Sequence, residues 1–306
     1  ALEFLKRKTD KPFFLHVNFT GPHDPLIYPP GYEDKYKPAD LKLPPNFLPR
    51  HPFDHGNFEG RDEQLLPWPR TKEDVLDELS VYYAVIDHID KQVGRIIGQL
   101  RADGRLKNTY VIFTSDHGLA LGSHGLMGKQ NMYDHTWRIP FIVKGPGIKA
   151  GSRAKGNIYL LDVLGTFCDL AGIPAPATSE GISFKPVLEG KKEMVRDVLY
   201  GVYCGGGRPG TRCVKQGDWK LTKYQVDKTS VRHTQLFNLR ENPHEFIKEH
   251  HDPKVIALTG IRPRKNQVNL SGNPKYAAKL KEMEALLLSE MKRLDDPYRL
   301  WDQEAK

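Results

Sequence analysis

Residues 110–129 read YVIFTSDHGLALGSHGLMGK. Tyr110–Thr114 is an apolar, β-branched and aromatic run of strand length that enters Ser115-Asp116-His117-Gly118 with no spacer. Ligands of open parallel sheets bind beyond the carboxyl ends of the strands. A carboxylate and an imidazole side by side at such an end form a candidate metal corner, and Gly118 lets backbone approach it. The same residues read equally well as an Asp cap with a histidine packed beside it. The Gly-rich segment Gly122–Lys129 follows, carrying His124 and Lys129. A lysine delivered by such a loop beside a metal corner suits an anionic group held next to the cation.

Upstream, Thr71 is a candidate N-cap, with Glu73 and Asp74 in the first turn. Val75, Leu79, Tyr82, Ile86, Ile89, Val93, Ile96 and Leu100 then form one helical stripe that Gly104 stops. Downstream, Pro140–Val143 predicts a short strand, and Asn157–Ala171 a helix closed by Gly172 and Pro174. Helix, strand, turn and helix in this order indicate an α/β layer with parallel strands. Pro12–Phe19 predicts another buried strand, ending at Thr20-Gly21-Pro22-His23-Asp24-Pro25. Eleven of the 23 prolines lie between Pro22 and Pro69, which predicts an extended loop packed through its aromatic residues. Beyond residue 195 the pattern changes: Val198–Tyr203, Thr211–Tyr224 and Gln235–Leu239 predict a small antiparallel sheet. Asn273 and Pro274 open a last helix with Tyr276, Leu280, Met283, Leu287 and Leu294 on one face.

Of 306 residues, 39% are hydrophobic and 27% charged, which excludes a disordered chain, a collagen and a disulfide-stapled mini-protein. No apolar run approaches the roughly 18 residues of a membrane span, and Asp162 interrupts the best stretch, Ile158–Phe167. Leu2–Lys11 is charged and amphipathic, unlike a signal peptide. Residues 1–150 hold 20 Lys/Arg and 19 Asp/Glu, and residues 151–306 hold 26 and 19, so the net +8 divides as +1 and +7. A basic C-terminal half reads first as solvated surface and second as attraction for anionic polymers. Cys168, Cys204 and Cys213 fit no zinc spacing. No nucleic-acid motif is present.

The segments Ser115–Lys129, Trp137–Val143, Pro146-Gly147, Pro22–Pro25, Tyr82–Gly94, Gly217–Leu221 and Gln235–Glu245 together resemble the sulfatase family of the alkaline phosphatase superfamily, in the family's order and over most of the chain. The resemblance implies an α/β fold: an alkaline-phosphatase-like parallel-sheet layer, incomplete because N-terminal strands are missing, over residues 1–195. A smaller α+β subdomain, with an antiparallel sheet and a C-terminal helix, would follow over residues 196–306. It implies metal-dependent hydrolysis of sulfate esters, calcium being the expected divalent ion and manganese or zinc the alternatives. Asp116 and His117 match metal ligands. Lys129 matches the lysine that contacts sulfate, and His23 the histidine that binds sulfate or assists the leaving group; these two are the implied catalytic residues. His124 is a further substrate-binding candidate, with loop packing as its alternative. Asp134 and Arg138 match as a structural pair.

The family's nucleophile is formylglycine, matured from Cys/Ser-x-Pro-x-Arg, and that motif does not occur here: the cysteines are followed at the second position by Leu170, Gly206 and Lys215. The resemblance therefore places the nucleophile and the paired acidic metal ligands in a missing N-terminal half. The expectation is a sulfatase-type hydrolase whose half active site is inactive alone. It would be partnered by the N-terminal half or a second copy and would act on a sulfate ester such as a sulfated glycan. A phosphonate monoester or phosphodiester hydrolase is the nearest alternative, and a non-catalytic module that binds anionic glycans is another. Nucleic acid and a membrane span are not expected, and localisation is not read.

Overall fold

The computed structural model describes residues 1–7, 9–205 and 208–304. Its helices are α1 (Leu2–Leu5), α2 (Lys72–Ala102), α3 (Asp134–Trp137), α4 (Leu161–Ala171), α5 (Lys185–Leu188), α6 (Pro253–Thr259) and α7 (Ala277–Arg293). Its strands are β1 (Val111–Thr114), β2 (Phe141–Lys144), β3 (Val198–Tyr203), β4 (Pro209–Gln216), β5 (Trp219–Val226) and β6 (Val231–Asn238). The chain divides into two compact units.

The first unit comprises residues 1–43, 71–114 and 141–148. Helix α2 starts where Thr71 Oγ1 accepts the Asp74 N–H at 3.1 Å, as expected of an N-cap, and Gly104 stands beyond its end at φ +70°. Val75, Leu79 and Leu100 of the predicted stripe are buried, whereas Ile86 is exposed. The proline-rich chain packs along the helix through tyrosines: Tyr36 donates to Asp87 Oδ2 at 2.9 Å, and Tyr32 meets His88 edge-on at 5.5 Å.

The expected strand directions need correction. Strands β1 and β2 pair antiparallel, from Val111↔Lys144 to Thr114↔Phe141. Phe13–Asn18 alternates in exposure with a period of two, Phe19 is exposed, and the segment joins no ladder among the described residues. Alternating burial specifies the two faces of a strand and carries no information on the direction of its neighbour. The ladder leaves Phe113 and Ile142 exposed on its surface.

The second unit comprises residues 44–70, 115–140 and 149–306. Its centre is the antiparallel meander β3-β4-β5-β6. Thr211–Tyr224, expected as one strand, is broken by a two-residue hairpin at Gly217-Asp218, where Gln216 faces Trp219 and Gly217 takes φ +53°. Val214, Leu221 and Leu236 lie in one cross-strand row and pack against Met283, Leu287 and Met291 of α7. Leu294 falls beyond the end of α7 and is exposed. The opposite face is covered as well, so β5 is buried from Lys220 to Val226.

Double coverage alters the reading of the basic half. Arg212, Lys220 and Lys223 lie inside and are paired: Arg212 with Asp296 at 2.8 Å, Lys220 with Asp134 at 2.9 Å and Glu245 at 2.8 Å, Lys223 with Glu284 at 2.7 Å. Helix α4 begins four residues later than expected, because Asp162 accepts the Tyr159 and Ile182 N–H groups at 2.8 Å each and pairs with Arg196 at 2.5 Å. The charge that interrupts the longest apolar run is thus a buried anchor. The three cysteines are unpaired thiols. Among the described residues no helix is long and apolar enough to cross a membrane.

Candidate active site

Residues 115–118 follow β1 in the chain and open a cavity of about 260 Å³ in the second unit. Asp116, His117 and Lys129 line it, together with Asn131, Thr136, Trp137 and Tyr203. Asp116 folds back on its neighbour: Oδ1 accepts the His117 N–H at 2.9 Å, and Oδ2 lies 3.3 Å from His117 Nε2. Its side chain is 81% exposed, so both oxygens can still take a ligand from solvent. Gly118 donates its N–H to Thr136 O at 2.9 Å, so close to α3 that a Cβ would collide with the His135 carbonyl.

The Gly-rich loop is clamped by the proline-rich segment of the same unit. Leu48 N–H donates to Gly122 O at 3.4 Å and His124 N–H to Asn46 O at 2.6 Å, while Phe47 bridges Ser123. Gly125, at φ +75°, has no room for a Cβ against the Arg50–His51 backbone. Glu63 accepts the Met127 and Gly128 N–H groups at 3.0 and 2.9 Å and pairs with the fully buried Arg70 at 2.8 Å. Burial drives the Glu63 carboxyl upward, and the two N–H donors and Arg70 oppose it. One residue earlier, Asp62 lies 3.3 Å from Lys129 Nζ and accepts from Gln130 Nε2 at 2.8 Å. Burial alone would raise the Asp62 carboxyl; the bonds from Gln130 and Lys129 hold it below the usual carboxylate value. Asp62, Glu63 and Arg70 lie in a segment that no motif marks. The signal that could have found them is the charge run Arg61-Asp62-Glu63, with Arg70, inside a proline-rich stretch.

His124 goes elsewhere. It is fully buried at φ +54°, stacked on the Tyr133 ring at 3.7 Å and 6°, and it does not line the cavity. The packing alternative describes its surroundings. His250 meets it edge-on at 5.1 Å. Tyr133 Oη accepts from Gln235 at 2.8 Å and lies 3.0 Å from His51 Nε2; His51 Nδ1 bonds the Phe53 carbonyl, which leaves Nε2 to accept from the tyrosine. Among the described residues, neither ring nitrogen of His55, His124 or His135 has a hydrogen-bond partner. His23 belongs to the first unit, where its Nδ1 lies 2.8 Å from Asp24 O and its side chain is 46% exposed. Asp134 accepts from the buried Lys220, so its partner is a lysine of β5 rather than the expected Arg138, which is exposed.

Asp116 and His117 supply two donors, an oxygen and a nitrogen. Among the described residues no group of three or more His, Cys, Asp or Glu side chains is arranged to hold a metal ion. Two donors do not complete the six to eight oxygens of calcium or the four ligands of zinc.

The profile of the sulfatase family matches residues 1–173, and that of the N-sulphoglucosamine sulphohydrolase C-terminal region matches residues 122–267. An arylsulfatase of Clostridium perfringens is 32% identical over 252 residues, covering 80% of this chain and 51% of the relative. A solved complex with the substrate D-glucosamine-2-N,6-O-disulfate is 28% identical, with a TM-score of 0.60 over 74% of this chain and 42% of its own. The phosphonate monoester hydrolase of Agrobacterium radiobacter shares the fold at a TM-score of 0.72 and 21% identity, over 95% of this chain and 59% of its own. The chain spans about half the length of the curated relatives it matches.

Proposed function

The chain belongs to the sulfatase family of the alkaline phosphatase superfamily, and from that membership we propose that it supplies the Asp116–His117–Lys129 part of the active centre of a metal-dependent sulfate-ester hydrolase. The observation that carries the reading is that these three side chains line one cavity. Lys129 donates to the sulfate oxygens and offsets the charge that builds on them; for His23, a residue of the first unit, the role of moving a proton at a leaving oxygen rests on its motif alone. Asp116 and His117 would supply two of the ligands of a divalent ion, calcium first, and the ion would supply Lewis-acid polarisation of the ester once ligands from outside these residues complete its shell. The formylglycine nucleophile and the remaining ligands come from outside these 306 residues, since Cys/Ser-x-Pro-x-Arg does not occur in them. Residues 1–195 then form the C-terminal part of the catalytic domain and residues 196–306 its smaller subdomain. A sulfated glycan is the favoured substrate, supported by the glucosamine disulfate bound to the solved relative.

A second reading is hydrolysis of phosphonate monoesters. The imidazole of His117 favours it, because a nitrogen donor suits zinc better than calcium. Reading the DNA upstream of the Ala1 codon tests both. An in-frame Cys/Ser-x-Pro-x-Arg after an acidic pair supports the hydrolase, and turnover of aryl sulfate against aryl phosphonate by the protein encoded from there chooses the ester. A stop or an unrelated sequence upstream favours a non-catalytic module that binds anionic glycans.

A further inference from the structure

We propose that Trp137 and Tyr203 are specificity-determining residues: with Met132 and the bare backbone of Gly201 they form an apolar wall that takes the ring of an ester whose charged head rests on Lys129. The inference rests on Lys129 being the anion-binding group of the proposed function, and deepens that reading by naming what binds beside it.

The wall is continuous. Gly201 lies in β3, and a Cβ there would stand 3.0 Å from Trp137 Cζ2 and 3.1 Å from Met132 Sδ. Both side chains therefore rest against strand backbone, and a larger residue at 201 would prop them away from it. Side chains of a strand face alternate ways, so Tyr203 shares the face of Gly201. All four residues line the cavity that Asp116, His117 and Lys129 also line.

The wall is also held in place beside the anion site. Tyr203 Oη donates to Asn57 Oδ1 at 3.3 Å, and the Asn57 side chain packs against Gly60 so closely that a Cβ there would collide with it. The buried Lys220 Nζ lies 5.4 Å from the centroid of the Trp137 ring. Burial pushes the Tyr203 phenol up, and the Asp62 carboxylate adds to it. Asp62 also stands 3.3 Å from Lys129 Nζ, so the wall begins where the anion site ends.

Aromatic side chains already fixed by their surroundings offer apolar contact at little ordering cost, and flat rings meet them best. An aryl ring and the C–H face of a pyranose present the same kind of surface to such a wall. A short acyclic group does not. The few polar groups of the cavity then orient the head, and the wall selects the organic part.

Calorimetric titration of the full chain with methyl sulfate, phenyl sulfate and glucose 6-sulfate tests this, since the three carry the same charged head. We expect the two ring esters to bind about tenfold more tightly than methyl sulfate. Trp137→Ala should collapse that ratio toward one, and Trp137→Phe, which keeps a ring, should retain most of it for phenyl sulfate. A preference for one ring ester alone supports the wall and tells whether its occupant is aryl or sugar. Equal binding of all three by the wild type, or Trp137→Ala weakening all three by the same factor, overturns the wall and leaves the anion site in place. Binding of none overturns the anion site, and the wall with it. Should Trp137→Ala not fold, Tyr203→Leu, which removes a ring and keeps apolar bulk, reads the same ratio, and a ratio it leaves unmoved overturns the wall.

Discussion

Lys129 and His124 sit five residues apart on one Gly-rich loop and end in opposite settings. Lys129 lines the cavity, with its charge managed by Asp62. His124 is sealed in an aromatic core of imidazoles around Tyr133, with both ring nitrogens unbonded. The cavity is the wet region, open to solvent at the 81% exposed Asp116; the buried imidazole core is the dry one. Residue type therefore does not decide which of two neighbouring polar side chains is chemical and which is structural. The hydrogen bonds that aim the loop do: Asn46 O accepts from His124 and Leu48 N–H donates to Gly122 O, which turns Gly122–Gly125 inward, while Glu63 accepts from Met127 and Gly128 just before Lys129.

If the comparison is right, acid should dismantle the dry region first, and this is the largest effect expected. Burial lowers the imidazole pKa of His55 and His250 to about 4 and of His135 to about 3, and pushes those of His51 and His124 well down. The unfolded chain titrates near 6.5. Between those values the unfolded state binds more protons, so stability is lost as pH falls below about 6.5 and the loss continues to about pH 3–4. Each histidine removes up to about 1.4 kcal/mol per pH unit, or about 7 kcal/mol for five, against a total of about 5–15 kcal/mol for a typical domain. Near-ultraviolet circular dichroism from pH 7.5 to 4 should show cooperative loss of tertiary signal in that window. His124→Phe, which keeps a ring on Tyr133, should shift the midpoint to lower pH. An unchanged signal down to pH 4.5 would break the contrast.

Next in size is the frame shared by the two regions. Glu63→Ala leaves Arg70 buried without its partner and frees two backbone N–H groups, a loss of about 3–5 kcal/mol in urea unfolding. Because Glu63 holds the loop carrying both residues, stability and aryl sulfate binding should fall together. A change in one without the other would show that the loop is aimed by other contacts.

Lys129→Ala should then separate the regions: about a hundredfold loss in aryl sulfate binding, near 3 kcal/mol, with little change in thermal unfolding. A melting point lowered as far as in Glu63→Ala would make Lys129 a structural partner of Asp62 instead.

What the sequence revealed follows the range of the interactions concerned. Helix α2 was legible because its cap, its stripe and its terminal glycine are local signals. The corner at Asp116–His117 and the loop lysine were legible because one motif carries them. The antiparallel pairing of β1 with β2 was not, since four-residue strands encode faces and not neighbours. The Gly217-Asp218 hairpin was legible, since residues 215–220 read KQGDWK and Gly-Asp between two runs is a turn signal; reading Thr211–Tyr224 as one strand overlooked it. Asp62 and Glu63 act on partners 64 to 68 residues away, and no periodicity reports such a pairing. The burial of His124 depends on Tyr133, His250 and Asn46, which come together only in the folded unit.

The smallest expected effect decides the oldest ambiguity, whether Asp116 caps the turn or serves the cavity. Its Oδ1 accepts the His117 N–H, which is what a cap does. Its side chain is nonetheless 81% exposed, and solvent can replace one exposed N–H bond at little cost. Asp116→Ala should therefore move the melting temperature by no more than about 2 °C, while weakening divalent-ion binding at the corner to the background of His117 alone. A calorimetric melt together with manganese titration reads both quantities on one sample. A large fall in melting temperature with ion binding unchanged would make the residue a cap, and the wet region would then lose the carboxylate that distinguishes it from the dry one.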